Sequence, residues 1–446
     1  MLTSLEQELA ALAPQLRDWR RDFHRHAEPG WLELRTASIV AEELDRLGFE
    51  LAVGRDVVAS QARMGLPDEQ TLALAEHRAL EQGAVARWLP ALSGGFTGVV
   101  ATLDSGRPGP TLAIRVDLDA LDLEESGAAD HRPRAEGFAS LNRGAMHACG
   151  HDGHTAIGLG LARLLKRFEA ELHGRIKLIF QPAEEGVRGA RSMVEAGVVD
   201  DVDLLIASHI GLDRPLGEVV CAADGFLATT KLDVEFKGVP AHAGGRPEAG
   251  RNALLAAAQA ALGLHAIAPH SLGASRVNVG VLEAGSGRNV IAAVARMKIE
   301  TRGESSEINA YVEARAREVI DGAAIIHGVE ASVSVAGGAD TCKASPALVE
   351  RIRTLLEGAP GIDRLVTTDP SPSGSEDATC LMARVQARGG QATYMIFGTE
   401  LAAGHHHQRF DFDEQVLPLA VRTLLLLSQQ LTAHPFATAP TDRNPA

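Results

Sequence analysis

A chain of 446 residues, 45% hydrophobic and 23% charged, is globular in composition and too long for one ordinary core, so two or three domains are expected. The net charge of −15 excludes a nucleic-acid binder, whose phosphate partners demand a basic surface, yet it permits a small substrate at a locally cationic site. Four widely spaced cysteines, Cys149, Cys221, Cys342 and Cys380, and an N-terminal stretch without the basic start and apolar core of a signal peptide lead to the expectation of free thiols in the cytoplasm. No apolar run is expected to reach membrane-spanning length.

Residues 16–47 repeat apolar side chains at helical spacing and stop at Gly48, which predicts one or two opening helices. Residues 53–90 hold helical fragments around Leu72 to Leu80 between polar connectors and carry no chemical motif. After Gly94-Gly95 the segments GVVATL, TLAIRVDLDAL, RIKLIFQP and VDLLIASHI read as strands, with a helix leaving HACGHDGHT. Strands alternating with helices predict an α/β domain around a mostly parallel sheet covered on both faces. Near Ala228 the pattern changes to TTKLDVEFKGV, a helix over 252–266, SRVNVGVLEAG, ARMKIETRG, a helix over 307–320 and VEASVSVAGG. This βαββαβ order predicts a small α+β domain, residues 228–342, inserted between the parts 1–227 and 343–446 of the larger one. The α/β pattern resumes through ATYMIFG and a final helix over 414–431, and the proline-rich tail HPFATAPTDRNPA reads as disordered.

Within HACGHDGHT, Cys149 and His151 flank a single Gly150, so both can reach one cation from a tight turn at a helix start. A Cys-x-His pair alone defines no metal site, and further ligands must come from elsewhere. RIKLIFQP ends in Ala183-Glu184-Glu185, a carboxylate pair at the end of an α/β strand where ligands usually bind. Adjacent side chains diverge, which lets Glu185 face a cation while Glu184 faces a bound water. His209 closes VDLLIASHI, and GHHHQRFDFDE adds His405, His406 and His407. Asp152 and His154 flank the candidate ligands and receive no ligand role.

RRDFHRHAEPGWLELRT, RVDLDAL, HACGHDGHT, FQPAEEG, AHAGGRPEAGRNAL, GSEDA and FDFDE occur in this order along the chain. With them the chain resembles the aminoacylase and glutamate carboxypeptidase family of dinuclear metallopeptidases, in the amidohydrolase branch that includes plant auxin-conjugate hydrolases. The resemblance covers nearly the whole chain. It implies a zinc-peptidase-like catalytic domain and a ferredoxin-like lid and dimerisation domain. It also implies two divalent ions, Mn²⁺ or Zn²⁺, held by Cys149, His151, Glu185, His209 and His406, with Glu184 as general base. His406 stands four residues before Phe410, as in the family pattern, and His405 remains a substitute. Asp119, with Asp117 beside it, is implied to orient a ligand or position the loop. In the lid the resemblance points to His242, Asn289 and Arg302 for substrate binding, Arg302 offering a planar fork to a carboxylate and His242 or Asn289 stabilising an oxyanion. His242 would act only after closure or from a neighbouring subunit. The family's N-V-I-P appears as Asn289-Val290-Ile291-Ala292, without the proline that would stiffen the turn.

The implied reaction is hydrolysis of a small N-acyl amino acid, an aromatic acyl group on glutamate. Two alternatives remain: a broader N-acyl amino acid deacylase, or a non-catalytic metal-binding subunit of a heteromeric hydrolase. Implied partners are a second copy joined through the lid or a related second subunit, and neither nucleic acid nor membrane.

Overall fold

Short apolar runs separated by glycine-bearing turns fold into two sheets in the computed structural model, which describes residues 2–371 and 374–434. The proline-rich tail beyond His434 lies outside the described residues. In chain order the strands are β1 (Glu50–Val53), β2 (Val99–Asp104), β3 (Thr111–Asp117), β4 (Arg175–Gln181), β5 (Leu204–Ile210) and β6 (Glu218–Val220). Then come β7 (Ala228–Lys237), β8 (Ser275–Ala284), β9 (Val294–Gly303), β10 (Glu330–Ala339), β11 (Arg364–Val366) and β12 (Gln391–Phe397).

The larger sheet has eight strands in the order β1-β2-β4-β3-β5-β12-β6-β11. Its centre, β4, β3, β5 and β12, is parallel, and antiparallel pairing brings in β2 and β1 on one side and β6 on the other. Every residue of β3 and β5 is buried, as expected of parallel strands covered on both faces. Alternate side chains feed two cores. Ile114, Val116 and Ile206 meet the helices Leu2–Arg25, His151–Arg167 and Val416–Ala433, while Ala113, Leu205 and Ala207 meet Ala190–Glu195 and Ala378–Ala387. The three-to-four-residue strands β1, β6 and β11 were not anticipated, because so few residues show no alternation.

Helix Val416–Ala433 corrects one expectation, since its 18 residues are long and apolar enough to cross a membrane by length and composition. It is apolar on most sides because it packs between layers, with Leu417, Leu424 and Leu431 fully shielded. Residues 53–90 form two short 3-10 turns, the helix Glu69–Glu81 and the short helix Leu89–Leu92. Asp68 caps Glu69–Glu81 by accepting from the Thr71 N–H at 2.7 Å.

The smaller sheet is antiparallel throughout, in the order β10-β7-β9-β8, the arrangement of a ferredoxin-like βαββαβ unit. Helices Ala253–His265 and Ser306–His327 cover one face, over a core that includes Leu232, Phe236, Met297 and Ile299. The second helix runs past the expected stop at residue 320 until Gly328, whose φ of 62° ends it in the left-handed region. Lys231, Asp233, Lys298, Glu300 and Arg302 share the opposite face and line a cavity.

Arg20, fully buried on the first helix, binds the helix His151–Arg167 and the segment that leads into the last helix. Its guanidinium donates to Asp152 at 2.9 Å, Asp411 at 2.8 Å and Glu414 at 3.2 Å. Replacing Arg20 by Met takes a buried cation from three carboxylates and leaves Asp152 with His24, Asp411 with Arg132 and Glu414 with Arg21, and a loss of about 3 kcal/mol is expected in denaturant unfolding. Undiminished stability would show that these remaining partners suffice. Burial opposes ionisation of Asp152 and Asp411, but Arg20 with His24 for Asp152, and Arg132 with Arg20 for Asp411, outweigh it and hold both below the usual carboxylate range. Asp22, although partly buried, is likewise lowered to about 2 by His26 and Arg35. Groups depressed in the fold contribute stability that is present above their unfolded pKa, near about 4, and lost as pH falls through the folded value. Unfolding measured at successive pH values is therefore expected to show stability declining from about pH 4 toward pH 2.

Candidate metal centre

The parallel strands end at one edge, and their next residues form the site. Beyond β3, the Asp119 carbonyl accepts from His151 Nδ1 at 2.9 Å, which leaves His151 Nε2 buried without a hydrogen-bond partner. Gly150 precedes that helix at φ 96°, and a Cβ there would lie 2.9 Å from the Ile210 side chain. Only glycine fits this turn between Cys149 and His151. Beyond β4, the N–H groups of Glu184 and Glu185 donate to the two Asp119 carboxylate oxygens at 3.0 and 2.9 Å. In β5, His209 donates from Nδ1 to the Ile210 carbonyl at 2.7 Å, and its Nε2 lies 3.4 Å from Cys149 Sγ. The last histidine arrives from the distal part of the chain: His406, at φ 62°, places Nε2 3.4 Å from Glu185 Oε1.

The neighbouring histidines are occupied. His405 accepts the Leu212 N–H at Nε2, 3.1 Å away, so Nδ1 carries the proton and points it at Cys149 Sγ, 3.6 Å distant. His154 donates to Asp117 at 2.6 Å and accepts from the Ile210 N–H at 3.0 Å, using both nitrogens. Asp152 accepts from Arg20 and also hydrogen-bonds His24. What remains is four overlapping sets of donor atoms, each gathered within 4.8 Å: Cys149–His151–His209, Cys149–Glu185–His406, His151–Glu184–Glu185 and the all-carboxylate Glu184–Glu376–Asp377. A thiol, imidazoles and carboxylates suit divalent zinc or manganese. His151 Nε2 and Glu185 Oε1, the latter with only the ion-pair contact to His406, are buried polar atoms without a hydrogen bond, and a cation would satisfy them.

Electrostatics agree with that donor set. Burial, followed by the neighbouring His154 and His405, holds His209 well below its ordinary pKa, so it presents a neutral imidazole. His406 is raised to about 10 by Cys149 and Glu185, and His151 is raised because Asp117 and Asp119 outweigh its burial. Protons therefore stand where cations would, and loading metal would expel them. Burial first, then the Glu376, Glu185 and Asp377 carboxylates, pushes Glu184 well above the usual carboxylate range.

These donors open into a cavity of about 430 Å³. Arg302 and Lys231 reach it from the lid. His242 and Asn289 do not line it; they lie exposed beside one another, where the Ala243 N–H donates to the Asn289 carbonyl at 3.0 Å. Around Ala292, which stands where the family pattern has proline, Ile291 donates to Ala241 and Ala253 donates to the Ala292 carbonyl, both at 2.9 Å. Lining residues that received no role from the sequence include Glu376, Tyr394, Phe226 and Lys231. Tyr394 donates to Glu376 at 2.6 Å, and Arg115 donates to its other oxygen at 3.1 Å. The GSEDA segment was a signal for Glu376; Tyr394, an ordinary strand residue, offered none.

The lid is joined to the carboxylate loop by backbone. Gly338 donates to the Val187 carbonyl at 2.8 Å, and a Cβ on Gly337 would lie 2.1 Å from the Gly186 oxygen. Arg188 donates to the Glu185 carbonyl at 2.8 Å and to Gly65 at 3.2 Å, tying in residues 53–90.

A doubly covered parallel sheet, a Cys/His/Glu donor cluster at its strand ends and an α+β lid define a metallopeptidase-type hydrolase. The chain belongs to peptidase family M20/M25/M40, whose model matches residues 113–430. It is 61% identical over 422 residues to an indole-3-acetyl-aspartic acid hydrolase of Enterobacter agglomerans, covering 95% of this chain and 97% of that protein. It is 60% identical over 423 residues to a subunit of the p-aminobenzoyl-glutamate hydrolase of Escherichia coli, with the same coverage. The crystal structure of an aminobenzoyl-glutamate utilization protein from Klebsiella pneumoniae superposes with a TM-score of 0.84 at 57% identity, covering 96% of this chain and 98% of that one. A Bacillus subtilis dinuclear metal binding peptidase of the M20 family matches with a TM-score of 0.65 at 25% identity, covering 95% and 99% of the two chains.

Asp119→Ala removes the acceptor of two loop N–H groups, and metal affinity measured by chelator competition is expected to fall about 10–100-fold. Unchanged affinity would mean that the loop holds its shape without Asp119.

Proposed function

We propose that the chain hydrolyses the amide of an aromatic N-acyl derivative of an acidic amino acid, p-aminobenzoyl-glutamate foremost. Cys149, His151, Glu185, His209 and His406 hold two divalent cations, Mn²⁺ or Zn²⁺. The observation that carries this reading is the Glu184–Glu185 pair, clamped by Asp119 against the histidine and cysteine donors in a cavity that also receives Arg302. The relatives at 61% and 60% identity are named for conjugates of aspartate and glutamate; these share an aromatic acyl group and a dicarboxylic amino acid. Bound cations would polarise the amide carbonyl and acidify a water. Glu184, whose carboxylate is made basic by burial and by its acidic neighbours, takes up the water proton and passes it to the leaving amine. Phe226 and Tyr394, edge to face at 4.7 Å, offer an aromatic wall to the acyl group. Arg302 receives a carboxylate as a planar fork. His242 and Asn289, exposed on the lid, serve the oxyanion after lid movement or in a neighbouring subunit.

Lid strand β8 has a free edge, and Leu262, Ile325 and Ile326 are 73%, 81% and 68% exposed on the lid helices. Both features support a homodimer formed through the lid. The Escherichia coli relative is named as one subunit of its hydrolase, which supports a related second chain in a larger assembly. We place the chain in the cytoplasm, where its four free cysteines stay reduced.

The test compares p-aminobenzoyl-glutamate with acetyl and benzoyl amino acids, using Mn²⁺- or Zn²⁺-loaded protein with and without the second subunit. Glu184→Gln is expected to lower kcat by about 10²-fold or more with metal content retained. Preference for acetyl donors would overturn the substrate assignment. Fully metallated protein without turnover of any amide would make the chain a non-catalytic subunit.

A further inference from the structure

We infer that Lys231 and Arg302 together form a two-cation clamp that selects an amino acid carrying a second carboxylate. The inference rests on the hydrolase reading above and adds Lys231 as its specificity-determining residue. The metal-facing cavity adjoins a second one of about 570 Å³ on the charged face of the lid sheet. Both are lined by Glu185, Gly186, Lys231 and Arg302, so the two cations stand at the junction, next to a candidate metal ligand. Aromatic side chains divide the space. Phe226 and Tyr394 line only the first cavity, whereas Lys298 and Asn278 line only the second. The aromatic acyl group therefore belongs on the Phe226 side and the amino acid on the Lys231 side.

Strand register explains the pairing of the two cations. In the β7–β9 ladder Lys231 faces Glu300 and Thr229 faces Arg302, so Lys231 and Arg302 sit one pleat apart on the same face. One carboxylate joins them: Glu300 accepts from Lys231 at 2.8 Å and from Arg302 at 2.9 and 3.1 Å. Two cations share this single anion. That leaves one positive charge, the Arg302 Nη1 group and the remaining Lys231 ammonium protons for a ligand. A monocarboxylate amino acid needs only the free Nη1 edge of Arg302; a dicarboxylate can also engage Lys231.

The test measures kcat/KM of the full-length, metal-loaded protein for p-aminobenzoyl-glutamate and p-aminobenzoyl-glutamine, its isostere with a neutral side chain. Lys231→Met is expected to reduce the glutamate-to-glutamine ratio by about 10-fold or more, chiefly through KM. Lys231→Arg, which keeps the charge, is expected to preserve most of the ratio. Lys231→Gln is read in the same way if the Met variant fails to fold. A residue that only ties β7 to β9 would lower both substrates equally, and an unchanged ratio overturns the clamp. Equilibrium binding of free glutamate against free glutamine, in native and Lys231→Met protein, reads the clamp without turnover, and equal losses there overturn it too. Native protein that cleaves neither conjugate but still discriminates in binding would refute the hydrolase reading and leave the clamp standing.

Discussion

Asp119 holds three parts of the site in one geometry. Its carboxylate accepts both N–H groups of the Glu184–Glu185 pair, and its carbonyl fixes the ring of His151. Adjacent residues on an extended strand point to opposite sides, so a carboxylate pair at a strand end does not by itself converge on one space. The Asp119 grip turns the chain at that point, and the backbone around it is bent accordingly. Ala183 and Val187, on either side of the pair, both have positive φ, at 50° and 56°. Leu212, three residues after His209, and His406 itself share that conformation, at 50° and 62°. Such residues cost about 1–3 kcal/mol each and persist where the surroundings over-determine them. Here the surroundings are Asp119, Arg188 and the lid glycines.

The same loop explains why the lid is more than a cover. Gly337 and Gly338 approach the carboxylate loop so closely that a methyl group on Gly337 would collide with the Gly186 oxygen. Lys231 and Arg302, on the same sheet, reach the cavity from above. The polar sheet face lies toward the site and the apolar face is closed by two helices, so the domain can meet a charged ligand without exposing its own core.

Much of this was legible in the sequence, for identifiable reasons. The central strands announce themselves as continuous apolar runs, because both sheet faces are covered, and the residues just past their ends fall at the common edge where Asp119, Glu184, Glu185 and His209 gather. Gly150 and its two neighbours were readable because the spacing is local. The choice between His405 and His406 was not, since it turns on the Leu212 N–H occupying His405. Lys231 was invisible for a similar reason: an alternating strand places a lysine on its polar face, and only the register opposite Glu300 gives it a destination. Arg20 went unnoticed because its partners Asp411 and Glu414 stand almost four hundred residues away. Nor did residues 53–90 reveal that Gly65 would meet Arg188, which holds the Glu185 carbonyl.

The tie between the first helix and the segment before the last one bears on how the polypeptide is made. The lid strands and helices occupy one continuous stretch, and its contacts are complete as soon as that stretch has been synthesised. The catalytic sheet must wait. β12 lies between β5 and β6, His406 follows it, and two of the three partners of Arg20, Asp411 and Glu414, follow His406. Domains form as units during synthesis, with those nearer the start folding first. In this chain that order is inverted, with the inserted domain maturing while the part that began first stands open. Until its final strand and helix emerge, the N-terminal half exposes a sheet lacking an interior strand. This is the stage at which nascent chains most need protection from aggregation.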